Sequence, residues 1–90
     1  MRKASKLALY PQAAEDLRAI YEPLYSEILE RLRMLREFPE LGGVMSKEYS
    51  GWRSIPVGVF RIVYRITLRA VEVLYIRHCK RRLPAPPSES

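Results

Sequence analysis

Ninety residues give one domain with a modest core, and a chain that is 48% apolar and 10% aromatic has the make-up of a globular protein. No apolar run approaches the ~18 residues of a membrane span, no signal-type stretch follows the basic opening Met1-Arg2-Lys3, and the lone Cys79 allows neither an internal disulfide nor a cysteine-rich metal site, so a cytoplasmic protein without metal or cofactor is expected. The net charge of +6 belongs entirely to the second half, because residues 1–48 carry eight Lys/Arg against eight Asp/Glu whereas residues 49–90 carry eight against two.

Residues 6–10, Lys-Leu-Ala-Leu-Tyr, are short and mostly apolar, which predicts a first strand. Pro11 suits the first position of a helix, where its missing N–H costs nothing, and Glu15 with Asp16 favours the early helix dipole. Ala13, Leu17, Ile20 and Tyr21 form the expected apolar stripe of that helix. Pro23 interrupts the run, which predicts a tight turn around Tyr21-Glu22. The helical period then resumes through Leu24, Ile28, Leu32, Leu35 and Phe38, with Glu27 and Arg31 one turn apart on the wet side, and Pro39 ends it. Gly42-Gly43 follows in a loop and is expected to supply backbone angles closed to other residues.

Three further strands are predicted over residues 52–57, 59–66 and 71–77, the last two joined by a hairpin turn at 67–70. Pro56 has no ladder donor, so its strand is expected to be an edge, bulged or short. Residues 1–83 form the domain, and the Pro/Ser-rich stretch 84–90 reads as a flexible tail. The order β-α-α-β-β-β predicts an α+β fold, a small and mostly antiparallel sheet with a helical hairpin on one face. Strand alternation puts Phe60, Ile62, Tyr64 and Ile66 toward the helices and Val59, Arg61, Val63 and Arg65 on the other, open face. Arginines on an open sheet face, in the half that holds all the net charge, point to a polyanionic partner, because clustered cations gain by displacing counterions from phosphates.

Four stretches in this order resemble the RelE/ParE superfamily, the toxin halves of bacterial type II toxin–antitoxin modules. They are Ala14-Glu15-Asp16-Leu17, the helix exit Leu35-Arg36-Glu37-Phe38-Pro39-Glu40-Leu41-Gly42-Gly43, the strand Gly58-Val59-Phe60-Arg61-Ile62-Val63-Tyr64-Arg65, and the end Ile76-Arg77-His78-Cys79-Lys80-Arg81-Arg82. The resemblance covers residues 7–82 and implies the same β-α-α-β-β-β core. It further implies a cognate antitoxin and one of two targets: messenger RNA cut on the ribosome, as in RelE-like toxins, or DNA gyrase, as in ParE-like ones. The short helical hairpin between Pro11 and Pro39 is closer to the RelE type. A non-catalytic relative that binds only antitoxin or nucleic acid is the third reading.

Cleavage by the neighbouring 2′-hydroxyl requires proton removal, stabilisation of charge at phosphorus, and protonation of the leaving oxygen. Arg61, in the position of the family's strand arginine, is the candidate phosphate clamp, since a guanidinium fork matches phosphate oxygens. Arg81 is the second candidate catalytic cation, and His78, the one imidazole in the chain, the candidate acid or base, because that side chain ordinarily titrates near about 6.5. Arg53, Arg65, Arg77, Lys80 and Arg82 are candidate RNA-phosphate contacts. Trp52 and Tyr75 offer stacking surfaces, although packing explains each as well. Two positions depart from the RelE-like pattern: Leu83 stands where many members have a tyrosine, and Pro56 where a basic residue is common.

Overall fold

A computed structural model describes residues 6–87; the basic opening at 1–5 and the last tail residues, 88–90, lie outside the described residues. Strand β1 (Lys6–Leu9) leads into helix α1 (Pro11–Arg18), whose first position is the predicted proline, and a turn through a cis Glu22–Pro23 peptide leads into α2 (Leu24–Glu37). The Glu22 carboxylate accepts from the Ser26 N–H and hydroxyl at 3.2 and 2.9 Å, satisfying a donor that the first turn of α2 would otherwise leave open. Then come a 3-10 turn at Pro39–Leu41, the two-residue β2 (Gly43–Val44), a second 3-10 turn at Lys47–Tyr49, and strands β3 (Arg53–Val57), β4 (Phe60–Ile66) and β5 (Ala70–His78). The predicted α+β order holds, with β2 and the two 3-10 turns added inside the stretch read as loop.

The sheet order is β1-β5-β4-β3-β2, with β1 parallel to β5 and the other pairs antiparallel. Because β2 pairs only with Arg53 and Ser54, the outer side of β3 is free beyond that point, and Pro56 sits where no ladder donor is needed. Both helices cover one face. There Ala13, Ile20, Ile28, Leu32 and Leu35 meet Ile55, Val57, Ile62, Tyr64, Val71, Val73 and Ile76 in the main core. Two members of the predicted stripes do not join it: Tyr21 (83% exposed) lies beyond the end of α1, and Phe38 (59% exposed) follows the last residue of α2 in a non-helical conformation that turns it off the buried stripe.

The opposite face is not open. Tyr49, Trp52, Val63, Leu74 and Tyr75 form a second buried cluster there, flanked by Tyr10, Met45 and Leu83, so the loop from β2 to β3 and the start of the C-terminal segment cover part of it. A short sheet leaves a chain of this size too little core on one face alone, and the aromatic residues of the loop supply a second.

The register between β4 and β5 slips between Val63 and Tyr64: Val63 faces Tyr75, Tyr64 faces Val73, and Leu74 is the extra residue of a bulge. Strict alternation would keep Val71, Val73, Tyr75 and Arg77 on one face. The bulge breaks that parity, so Val71 and Val73 point to the helices while Tyr75 and Arg77 share the far face with Arg61.

Candidate functional site

Arg61 and Arg77 are direct cross-strand partners on the far face. Like charges facing each other across a sheet are destabilising. Arg77 has partial compensation, since its guanidinium lies 4.8 Å from the Tyr75 ring centroid and its Nε is 3.8 Å from the Asp16 carboxylate. Arg61 has none from an acid among the described residues. Its Nη2 donates to the Arg81 carbonyl at 3.3 Å, and its Nε is buried without an acceptor. A half-buried cation with an unused donor, set against a second cation, is a place prepared for an anion.

Asp16 holds this corner in position. Beyond Leu9, β1 no longer pairs with the edge of β5, and α1 takes its place: the Asp16 carboxylate accepts from the Ile76 N–H at 3.0 Å and from Gln12 Nε2 at 3.0 Å. The expected role of Asp16 at the helix dipole gives way to this one, because it falls in the second turn of α1, beside the strand that needs an acceptor.

Arg77, His78 and Arg81 line a cleft of about 260 Å³ between α1 and the end of β5, floored by Ile20, Phe60 and Ile76. His78 lies on the helix side of the sheet, its ring 5.8 Å from that of Phe60, whereas Arg61 lies on the far side. Its Nδ1 accepts from the Lys80 N–H at 3.1 Å, which leaves Nε2 as the nitrogen that can carry or take a proton toward a ligand. The Arg81 N–H donates to the His78 carbonyl at 2.9 Å, so the tight turn after β5 carries the basic run across the rim between the two faces. Arg61, Arg77, His78 and Arg81 are therefore gathered at one end of the sheet, with exposed Lys80 and Arg82 beside them.

Two predicted phosphate contacts are not gathered there. Arg53 stands on the helix-covered face opposite Tyr64, and its Nη1 donates to the carbonyls of Gly42 (2.7 Å) and Glu40 (3.3 Å). Arg65 shares the far face but is bound up within the protein: Nε pairs with Glu72 at 3.1 Å, Nη2 donates to the Tyr10 hydroxyl at 3.1 Å, and the guanidinium lies 4.8 Å from the Trp52 ring centroid. Trp52 and Tyr75 are buried as core rather than presented for stacking. Pro56, the missing cation, offers its carbonyl to Arg31 Nη1 at 3.4 Å, which draws Arg31 to the sheet instead of into the expected pair with Glu27.

Tyr49 was not singled out by sequence reasoning, since a tyrosine in a loop carries no signal of its own. The structure buries it beside Tyr75, Arg61 and Arg77, and burial, reinforced by Tyr75, pushes its phenol up to about 12 against the opposing pull of Arg77 and Arg61. A phenol that ionises near 10 in the unfolded chain and near 12 in the folded one contributes a constant stability below pH 10 and loses it between pH 10 and 12. Tyr64 is shifted in the same direction by burial. Tyr49→Phe is expected to reduce the fall in unfolding free energy between those pH values by up to roughly 2 kcal/mol, at about 1.4 kcal/mol per pKa unit, with the Tyr64 share remaining. Urea unfolding at a series of alkaline pH values measures it; an unchanged slope would remove Tyr49 as the source.

No group of three or more His, Cys, Asp or Glu side chains able to hold a metal ion occurs among the described residues, and none of their helices is long and apolar enough to cross a membrane. The profile of a family described as the ParE toxin of type II toxin–antitoxin systems, parDE, matches residues 7–83. No curated protein sequence matches the chain significantly. Among solved structures, the chain is similar to one in the RelBE2 toxin–antitoxin complex of Mycobacterium tuberculosis, with 23% identity and a TM-score of 0.76 over 83% of this chain and 98% of the other. A chain of the chromosomal ParDE system of P. aeruginosa gives 22% identity and 0.67, covering 81% and 94%. One from the intact RelBE complex of E. coli gives 17% and 0.73, covering 87% and 100%. The structural likenesses establish the shared fold, and the family match over nearly the whole domain decides the rest: the chain belongs to the ParE toxin family and is the toxin of a type II toxin–antitoxin module.

Proposed function

We propose that this toxin is a RelE-like, metal-independent endoribonuclease that cuts messenger RNA on the ribosome, with Arg61 as its phosphate clamp. The observation that supports this reading is the facing pair Arg61 and Arg77, with Arg61 lacking an acid partner among the described residues and holding a buried, unused donor. A trigonal-bipyramidal phosphorus, carrying more negative charge than the diester it forms from, would be stabilised by that donor pair more than the ground state is. Arg81 supplies a second cation at the rim, and Nε2 of His78 the proton-transfer group. The strand of RNA then crosses the end of the sheet, its phosphate on the far face and its leaving oxygen toward the cleft. Exposed Lys80 and Arg82, together with Arg77, hold flanking phosphates and contribute to the salt dependence of binding.

The partner that restrains it is a cognate antitoxin, as in the toxin–antitoxin complexes of RelBE and ParDE type that share its fold. Charge complementarity with the basic end of the sheet would speed that encounter. Purified toxin added to a cell-free translation reaction is expected to produce new mRNA 3′ ends within translated codons and none in untranslated RNA. Intact mRNA together with inhibited gyrase supercoiling would replace this reading with the ParE-like one.

A further inference from the structure

We infer that the cleft between α1 and the end of β5 takes the base of the nucleotide on the 3′ side of the cut, and that it favours a base bearing an amino group. The inference rests on the reading of Arg61 as the phosphate clamp and adds a subsite that reads sequence beside it. Two residues join the clamp to the cleft. Arg77 is the cross-strand partner of Arg61 and also lines the cleft, and Arg81, whose carbonyl accepts from Arg61 Nη2, lines it as well. A phosphate held by Arg61 and Arg77 with its leaving oxygen toward the cleft therefore brings the nucleotide that carries this oxygen to the cleft mouth.

The lining suits a base. At about 260 Å³ the cleft is smaller than the roughly 300–1,000 Å³ of pockets for drug-sized ligands, which leaves room for a single flat ring system. Ile20 and Ile76 are buried in its floor, and Phe60 makes a corner there with His78, the two rings 5.8 Å apart and inclined at 68°. A planar base laid against one ring meets the edge of the other, and both contacts are attractive. Arg77 and Arg81 give the same cleft two cations for the sugar–phosphate chain. An acidic side chain from a protein partner would answer the cations alone and leave the floor and the rings unused. Selectivity comes from Gln12 on α1. Only the NH2 end of its carboxamide can face the Asp16 carboxylate, 3.0 Å away, so Oε1 is left as an acceptor in the lining. Adenine, cytosine and guanine each carry an exocyclic amino group to meet it. Uracil offers only a ring N–H, flanked by two carbonyls that repel the same acceptor.

The test titrates the full chain with adenosine 5′-monophosphate, uridine 5′-monophosphate and ribose 5-phosphate, following the methyl NMR signals of Ile20 and Ile76. The adenosine nucleotide is expected to bind at least about fivefold more tightly than ribose 5-phosphate, the low end of what stacking one base contributes, and more tightly than the uridine nucleotide. Ala19→Phe, which sets a ring into the cleft from an exposed position, is expected to abolish the advantage over ribose 5-phosphate, and Gln12→Ala the advantage over uridine. In the translation reaction, the nucleotide after each new 3′ end is expected to be adenosine, cytidine or guanosine in preference to uridine, and Gln12→Ala is expected to erase that bias. Equal affinity for the adenosine nucleotide and ribose 5-phosphate, an advantage that survives Ala19→Phe, or cuts without bias at that position would overturn the subsite and leave Arg61 standing as the clamp. Absence of new mRNA ends altogether would overturn the ribonuclease reading itself, and the role at a cut with it, whatever the titration gives.

Discussion

Arg61→Ala is expected to lower ribosome-dependent mRNA cleavage on the order of 10²- to 10³-fold, the usual consequence of removing one preorganised donor from a developing oxyanion. Arg61→Lys keeps the charge without the planar fork and is expected to recover only part of that loss. The substitution should not unfold the protein. In the free toxin Arg61 faces Arg77 across the strand pair and buries an unsatisfied Nε, so its removal relieves two unfavourable terms and should leave stability unchanged or raise it by up to about 1 kcal/mol. Activity lost with stability kept or gained is the signature of a residue retained for its ligand. Mapping mRNA ends in a translation extract beside a urea melt gives both readouts, and full cleavage by Arg61→Ala would remove this residue from the mechanism.

Gly42→Ala should destabilise the domain by about 3 kcal/mol, a shift of roughly 10–20 °C in Tm for a chain of this size, whereas Gly43→Ala next to it should change stability by no more than about 0.5 kcal/mol. A Cβ on Gly42 would stand 2.7 Å from the Tyr64 hydroxyl and 2.9 Å from the Ser54 carbonyl, while one on Gly43 meets nothing within 4 Å. Tyr64 cannot step aside, being fully buried with its hydroxyl donating to the Pro39 carbonyl at 2.6 Å and accepting from the Gly42 N–H at 2.9 Å. This phenol pins the exit of α2 to the centre of the sheet, and Arg53 fastens the same turn from the other side. Equal melting temperatures for the two variants would show that the turn yields without disturbing Tyr64.

Much of the fold was legible because the pattern that carries it is local. Alternation over residues 60–66 assigns Ile62 and Tyr64 to one face and Arg61, Val63 and Arg65 to the other, and the four-and-three spacing from Leu24 to Leu35 marks the buried stripe of α2. The glycine pair shows where such reading stops. Its position was evident and its reason was not: Gly42 has ordinary extended angles, φ −79° and ψ 156°, and is required by the close approach of a tyrosine 22 residues away. Gly58, at φ 60°, is the kind of glycine that a turn between strands demands, and there Leu24 lies 2.6 Å from where a Cβ would be.

The site was legible in kind but not in membership. Arg61 stands out from its strand and motif alone, yet whether an arginine is available to a ligand depends on what lies against it. Arg65, four residues further along the strand and on the same face, has its guanidinium engaged by Tyr10, Trp52 and Glu72, three residues from three separate segments. Nothing local distinguishes the two.

By itself, then, the order of apolar periods determined the α+β architecture, and the half-by-half charge count determined that the basic residues would gather on the strand half, since both are properties of neighbours along the chain. The tertiary structure alone decided which cations meet. The extra residue at Leu74 carries Arg77 from the helix face to the side of Arg61, and Leu83, just after the basic run, packs on the apolar cluster of that same face. A one-residue slip reverses every side chain beyond it, and only the pairing of two strands against a filled core fixes where that slip occurs.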